Sequence, residues 1–170
     1  MKNIYLIGMM GCGKSTIGPL LAARLEYSFV DTDTKIEELK NRSIVEIFET
    51  MGEPEFRQFE TESLEKVALN TRQIIATGGG IAISPKNWNY LSQGLTIWLD
   101  PSVDILVERL KHETTRPILA TSEDLRSKLE RLLVERRQWY DRADVHLPIT
   151  RELTCDAIVD RILEGIVNFR

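Results

Sequence analysis

Along the chain, short continuous apolar runs trade places with apolar residues at helical spacing. Ile4-Tyr5-Leu6-Ile7, closed by Gly8, has the pattern of a central parallel strand buried on both faces. Ile17, Leu20, Leu21 and Leu25 follow as a helix, and Phe29-Val30 gives a second strand leading into a polar loop, Asp31-Thr32-Asp33. Ile44, Ile47, Phe48 and Met51 mark a short amphipathic helix, and Phe56, Phe59, Leu64, Val67 and Ala68 mark another beyond Gly52. Two helices are therefore expected before the third strand, Ile74 to Thr77, which stops at Gly78-Gly79-Gly80. Leu95 to Leu99 is the fourth strand, ending at Asp100-Pro101. Val145 to Ile149 is the fifth, and Pro148 sends it to a sheet edge because proline cannot donate to a ladder. Ile158, Ile162 and Ile166 predict a closing helix.

Strands alternating with helices predict a three-layer α/β domain around a parallel sheet, with ligands gathered at the carboxyl ends of its strands. With no repeat, low-complexity tract or linker, residues 1–170 read as one domain. The stretch from His112 to Asp124 lacks periodicity and holds Thr114, Thr115, Pro117, Thr121 and Ser122, as expected of a mobile loop. Pro19 falls inside the first helix, where it removes an amide and crowds the carbonyl near Ser15, so a local kink is expected there.

The 22 basic and 26 acidic residues give a net charge of -4, which provides no general attraction for nucleic acid or anionic lipid. Cys12 and Cys155 are too few and too far apart for a zinc cluster or a disulfide framework, and they point to a reducing compartment. The start Met1-Lys2-Asn3 followed by Ile4 to Met10 has the outline of a short signal peptide. Gly8 interrupts the run and Gly13-Lys14-Ser15 follows at once, so a buried strand entering a phosphate loop explains these residues better. No window reaches the length of a membrane span, and a cytoplasmic protein is expected.

Gly8-Met9-Met10-Gly11-Cys12-Gly13-Lys14-Ser15 fits G-x-x-x-x-G-K-[ST] between a predicted strand and a predicted helix, the setting this motif requires. With Gly at about 7% of residues, a chance match somewhere in a chain of this length is on the order of 1%. Glycines let the amides of this segment, through Thr16, turn toward the β-phosphate. Lys14 reaches the β/γ oxygens, and the Ser15 hydroxyl can bind Mg²⁺. By itself the loop fits GTPases and ATPases as well as kinases, but GTPase guanine and switch signatures are absent.

Further motifs follow: Asp31-Thr32-Asp33, Ile44-Val45-Glu46-Ile47-Phe48, Gly52-Glu53, Phe56-Arg57-Gln58-Phe59-Glu60, Gly78-Gly79-Gly80, Arg116-Pro117-Ile118-Leu119 and Glu135-Arg136. Their order and spacing, from Gly8 to about Tyr140, closely resemble the shikimate kinase family. That resemblance implies an adenylate-kinase-like P-loop NTPase fold with a central five-stranded parallel sheet, an acceptor-binding helical region at about 32–62 and a flexible lid at about 112–124. It further implies a monomer that uses ATP and Mg²⁺ to phosphorylate the 3-hydroxyl of shikimate. One departure is Gln138-Trp139, where the family usually has Pro-Leu before Tyr140; Trp139 is read as a packing residue.

Each candidate residue also has a plainer explanation. Asp31 and Asp33 can face one cleft if their segment stays extended, or can cap a helix; the resemblance gives Asp31 to the Mg²⁺ surroundings and Asp33 to the acceptor hydroxyl. Arg57 either pairs with Glu60 on a helix surface or, by resemblance, clamps a carboxylate. Arg136 lies on the helical stripe of Leu125, Leu129, Leu132 and Leu133, from which Arg137 points away. A buried-facing guanidinium requires an anion, either an internal carboxylate or that of a substrate. Gly78, Gly79 and Gly80 are a flexible strand exit or, by resemblance, an acceptor-binding turn. Arg116 is a solvated cation or a closing lid residue that neutralises transferred charge, while Arg109 and Arg151 resemble positions flanking adenine. Rival readings are a kinase for gluconate or a nucleoside monophosphate, and a non-catalytic binding protein of the same fold.

Overall fold

The computed structural model describes residues 2–111 and 124–168, the side chain of Asn168 excepted. Five strands, β1 (Ile4–Ile7), β2 (Ser28–Asp31), β3 (Gln73–Ala76), β4 (Leu95–Pro101) and β5 (Val145–Ile149), form one sheet in the order β2-β3-β1-β4-β5. Every pairing is parallel, with Ile4 opposite both Ile74 and Leu95. All four residues of β1 are buried, as its unbroken apolar run requires of a strand covered on both faces. β5 takes an edge, its Pro148 opposite Asp100. The helices are α1 (Lys14–Leu25), α2 (Thr32–Lys40), α3 (Ile44–Met51), α4 (Glu53–Ala68), α5 (Trp88–Leu91), α6 (Val103–Leu110), α7 (Leu125–Tyr140) and α8 (Cys155–Asn168). Together they make the three-layer α/β fold of P-loop proteins.

Three helices, not two, separate β2 from β3. The segment after Asp31 is not extended: Asp31 is the last residue of β2 and the cap of α2, its carboxylate accepting from the amides of Asp33 and Thr34. Helix α2 buries only Thr32 and Ile36, which leaves little apolar rhythm in its sequence. Helix α3 opens with a reciprocal capping box. Ser43 Oγ accepts from the Glu46 amide at 3.2 Å, and Glu46 Oε2 accepts from the Ser43 amide at 2.7 Å.

The main core lies around the sheet, while Ile36, Ile47, Phe56 and Phe59 form a second, smaller cluster with Ile44 and Phe48 packed on it. This cluster ties α2, α3 and α4 into one unit beside the carboxyl end of β2. Burying each of its four central side chains is worth roughly 1.5–3 kcal/mol. Leu20 and Met51, although at helical spacing with core residues, are 39% and 46% exposed. Helix α1 runs unbroken through Pro19, which faces solvent.

Candidate active site

Gly8 ends β1 with φ 136°, and a Cβ there would meet the Leu99 carbonyl oxygen, so the chain can leave the sheet at this point only as glycine. The loop then enters α1 at Gly13, which caps the helix with no side-chain bond and no acidic residue in the first turn. The amino end of α1 is thus left available to an anion. Lys14 is buried, and its Nζ donates to the carbonyls of Gly8 at 2.9 Å and Met9 at 3.0 Å and to Cys12 Sγ at 3.3 Å.

Two cavities meet over this loop. One, of about 390 Å³, is lined by Gly11, Cys12, Gly13, Lys14, Ser15, Thr16 and Arg109. The other, of about 470 Å³, is lined by Arg57, Glu60, Gly78, Gly80 and Arg136, with Ile44, Val45, Phe48 and Phe56 as an apolar wall. Ser15, Asp31, Asp33 and Gly79 line both. The shared residues mark a seam at which a group bound on one side can reach a group bound on the other.

Asp31 uses both carboxylate oxygens. One caps α2, and the other accepts from the Ser15 hydroxyl at 2.6 Å. This pair of hard oxygen donors fits a divalent cation such as Mg²⁺. Among the described residues no cluster of three or more His, Cys, Asp or Glu is placed to hold a metal, so phosphate oxygens and water would complete the shell. Asp31 thus caps α2 and lines both cavities at once.

Glu60, named in the sequence only as a partner for Arg57, is central to the second cavity. Its side chain is 2% exposed. Its Oε2 accepts from Arg57 Nη1 at 2.6 Å, and Arg57 also reaches Glu53 at 2.8 Å. Burial pushes the Glu60 carboxyl up to about 7, outweighing the opposing pull of Arg57, with Asp33 adding repulsion. Burial alone would lower Arg57, but Glu60 and Glu53 hold it above its usual value.

The glycine triplet makes room for these charged groups. A Cβ on Gly78 would collide with Glu60 Oε1 and with Asp33 Oδ1, and one on Gly80 would collide with the Arg57 guanidinium. Close approach by the protein's own side chains is thus reason enough for glycine at 78 and 80. Thr32, fully buried, accepts from the Gly78 amide at 3.1 Å and fixes the triplet to the start of α2.

From α7, Arg136 Nη1 donates to the Gly79 carbonyl at 3.2 Å and Tyr140 Oη donates to the same oxygen at 2.6 Å. Burial raises the Tyr140 phenol to about 12, so it stays protonated and donating. Arg136 is only 5% exposed, and no ion pair to it occurs among the described residues. Glu60 feels its charge across the cavity without pairing with it, so the guanidinium is left with room for a further anion. The sequence stripe placed Arg136 correctly inward; Leu129, Leu132 and Tyr140 are its buried neighbours on that face.

Not every candidate gathers here. Arg109 lines the phosphate-loop cavity and donates to the Gly11 carbonyl at 3.0 Å. Arg151 lines neither cavity and pairs with Glu108 at 3.2 Å on the surface. Arg116 and nearly all of the expected lid lie outside the described residues. Trp139 packs against the main core, as read from the sequence.

A phosphate loop abutting a cavity lined by Asp31, Asp33, Glu37 and Glu60 and by two arginines defines a small-molecule phosphotransferase of the P-loop class. The comparisons make the family specific. The shikimate kinase family pattern matches residues 10–167. A shikimate kinase of Rippkaea orientalis is 53% identical over 164 residues, covering 96% of this chain and 87% of the relative. The solved structure of shikimate kinase from Acinetobacter baumannii in complex with shikimate superposes with a TM-score of 0.94 at 33% identity, covering 99% of this chain and 94% of that one. A gluconokinase from Sinorhizobium meliloti, at TM-score 0.60 and 17% identity, shares the fold alone. The chain belongs to the shikimate kinase family, kinases that use ATP.

Proposed function

We propose that this protein transfers the γ-phosphate of ATP to the 3-hydroxyl of shikimate, giving shikimate 3-phosphate on the route to chorismate and the aromatic amino acids. The observation that carries this reading is Arg136, buried at 5% exposure in a polar cavity with no ion pair among the described residues. A carboxylated acceptor supplies the missing anion, and the planar guanidinium matches it with two parallel bonds. Gluconate is a longer, flexible carboxylate and a nucleoside monophosphate carries a base; the apolar wall of Ile44, Val45, Phe48 and Phe56 better suits a compact ring.

In this reading Arg57 and Arg136 hold the acceptor carboxylate and the glycine triplet lines its face. Asp33, on the seam, orients the acceptor hydroxyl and takes its proton as transfer proceeds. The amides from Gly11 to Thr16 cradle the β-phosphate, and Lys14 exchanges its carbonyl partners for the β/γ oxygens. Ser15 and Asp31 would hold Mg²⁺, which when bound neutralises charge on the β- and γ-phosphate oxygens. Arg116 is assigned to the charge of the transferred phosphoryl group and Arg109, on the phosphate-loop cavity, to adenine; Arg151 would reach adenine only by leaving Glu108. We further read the chain as a cytoplasmic monomer of one domain; sedimentation measures the last assembly state directly.

The test is a coupled ADP-release assay with shikimate, gluconate and nucleoside monophosphates side by side, with and without Mg²⁺. ADP release dependent on both Mg²⁺ and shikimate is expected. Folded protein that binds ATP but turns over none of these acceptors would establish a binding protein instead.

A further inference from the structure

Beyond Asp31, Asp33 and the Arg57 partner Glu60, a further carboxylate lines the acceptor cavity and has been given no part. Glu37, half-buried near the end of α2, lines that cavity and organises the turn into α3. Its backbone carbonyl accepts from the amides of Asn41 and Arg42. Asn41 takes the left-handed conformation, φ 49°, so that the chain reverses at once. Beyond the reversal, Glu37 Oε1 accepts from the amide of Ile44, the first residue of α3, at 2.9 Å. One residue thus receives three amides of the turn, and its side chain joins the two helices.

The consequence lies in what each helix carries. α2 brings Asp33 and Thr34 to the cavity, and α3 brings Ile44, Val45 and Phe48. The capping box of α3, between Ser43 and Glu46, satisfies that helix internally and makes no bond to α2. A charged acceptor on a backbone amide is about twice as strong as a neutral one, and a carboxylate at the amino end of α3 is further favoured by the helix field.

We propose that Glu37 is a positioning residue for the acceptor: its carboxylate fixes the apolar wall of α3 at a set distance from Asp33 on α2. It acts through Ile44, not through the phosphate loop, and governs acceptor affinity more than turnover. The inference rests on reading this cavity as the shikimate site.

Steady-state kinetics on the full chain separate the possibilities. Glu37→Ala is expected to raise the KM for shikimate about tenfold, with kcat within about twofold and the KM for ATP unchanged, the size typical of one lost charge-assisted bond. Glu37→Gln keeps an oxygen acceptor and is expected to restore most of that loss. Glu37→Asp, one methylene short of Ile44, is expected to behave like Ala, and this pair carries the comparison if the alanine variant does not fold. Glu46→Ala serves as the control for helix stability: it is expected to lower the Tm at least as much as Glu37→Ala while raising the shikimate KM less. If KM simply follows Tm across these variants, or if the ATP KM rises equally, Glu37 is only a structural residue and the proposal is wrong. An active wild type with unchanged KM in Glu37→Ala overturns this inference alone. A wild type with no shikimate-dependent turnover overturns the acceptor reading and this inference with it.

Discussion

Arg57 and Glu60, one helical turn apart on α4, meet at 2.6 Å with the glutamate almost fully buried and the arginine a quarter exposed. The pairing is the surface arrangement that i,i+3 spacing suggests, moved indoors. Burial wins over attraction, and the glutamate is held at about 7 instead of 4.5.

A stability profile follows with a definite sign. Because the Glu60 carboxyl is raised in the folded state, the native protein binds more protons than the unfolded chain between about 4.5 and 7. Its contribution is therefore full below that window and is lost as pH rises through it, on the order of 3 kcal/mol. Denaturant unfolding at pH 5 and pH 8 checks this. Wild type is expected to lose more stability across the interval than Glu60→Gln, whose amide does not titrate; parallel losses would rule the assignment out.

Arg136 sets binding against stability. Arg136 is buried with no ion pair among the described residues, and replacing such a charge by an apolar side chain of similar length is neutral or stabilising by about 1–4 kcal/mol. Arg136→Met is expected to melt at or above the wild-type temperature without ligand and to lose measurable shikimate binding by calorimetry. A large drop in Tm would mean that the guanidinium has an anion already.

For Asp33 the expected split is between nucleotide and chemistry. Asp33→Ala is expected to leave ATP affinity near wild type and to cut kcat by about 10²–10⁴, the range of a lost general base. Near-normal turnover would remove Asp33 from that role.

Gly80→Ala tests the crowding at the triplet. Its new methyl displaces Arg57 Nη1, the atom that holds the buried Glu60, so folding and acceptor binding are both weakened. The shikimate KM is expected to rise about tenfold or more, and stability in denaturant to fall by up to about 3 kcal/mol; an unchanged KM in folded protein would rule out the crowding argument. Gly18→Ala, which would drive a methyl into the half-buried ring of Phe29, is expected to lower the Tm and leave the shikimate KM unchanged.

The strands were legible because each is a short apolar run with a clear stop, and Pro148 announced the edge position of β5. The phosphate loop was legible because its letters and its setting agree. Helix α2 was hidden: it buries Ile36 as its single large apolar residue, and its start is written in Asp31, whose capping role competes with its place in the site. Helix α6 was passed over although Leu106 and Leu110 bury at helical spacing. Glu60 stood in plain view at i+3 from Arg57 and, four residues from both Phe56 and Leu64, falls on the apolar stripe of α4, so its burial was as legible as that of Arg136. Packing of α4 on Ile36 and Ile47, and on the main core through Leu64 and Val67, turns that side inward. The glycine triplet stands out in the sequence, but the crowding of Gly78 and Gly80 by Asp33, Arg57 and Glu60 is set by long-range contacts that local sequence does not carry.

The two ends of the sheet bear on how the protein behaves in a crowded solution. An open strand is a template on which another chain can lay its own backbone. Here one border, β2, is four residues long, and the other, β5, is five residues long with a proline that cannot donate. So little continuous ladder is on offer that chains pressed together at high concentration have no ready seam along which to stack. Pro148→Val, which restores a donor to β5, is the change that would open one.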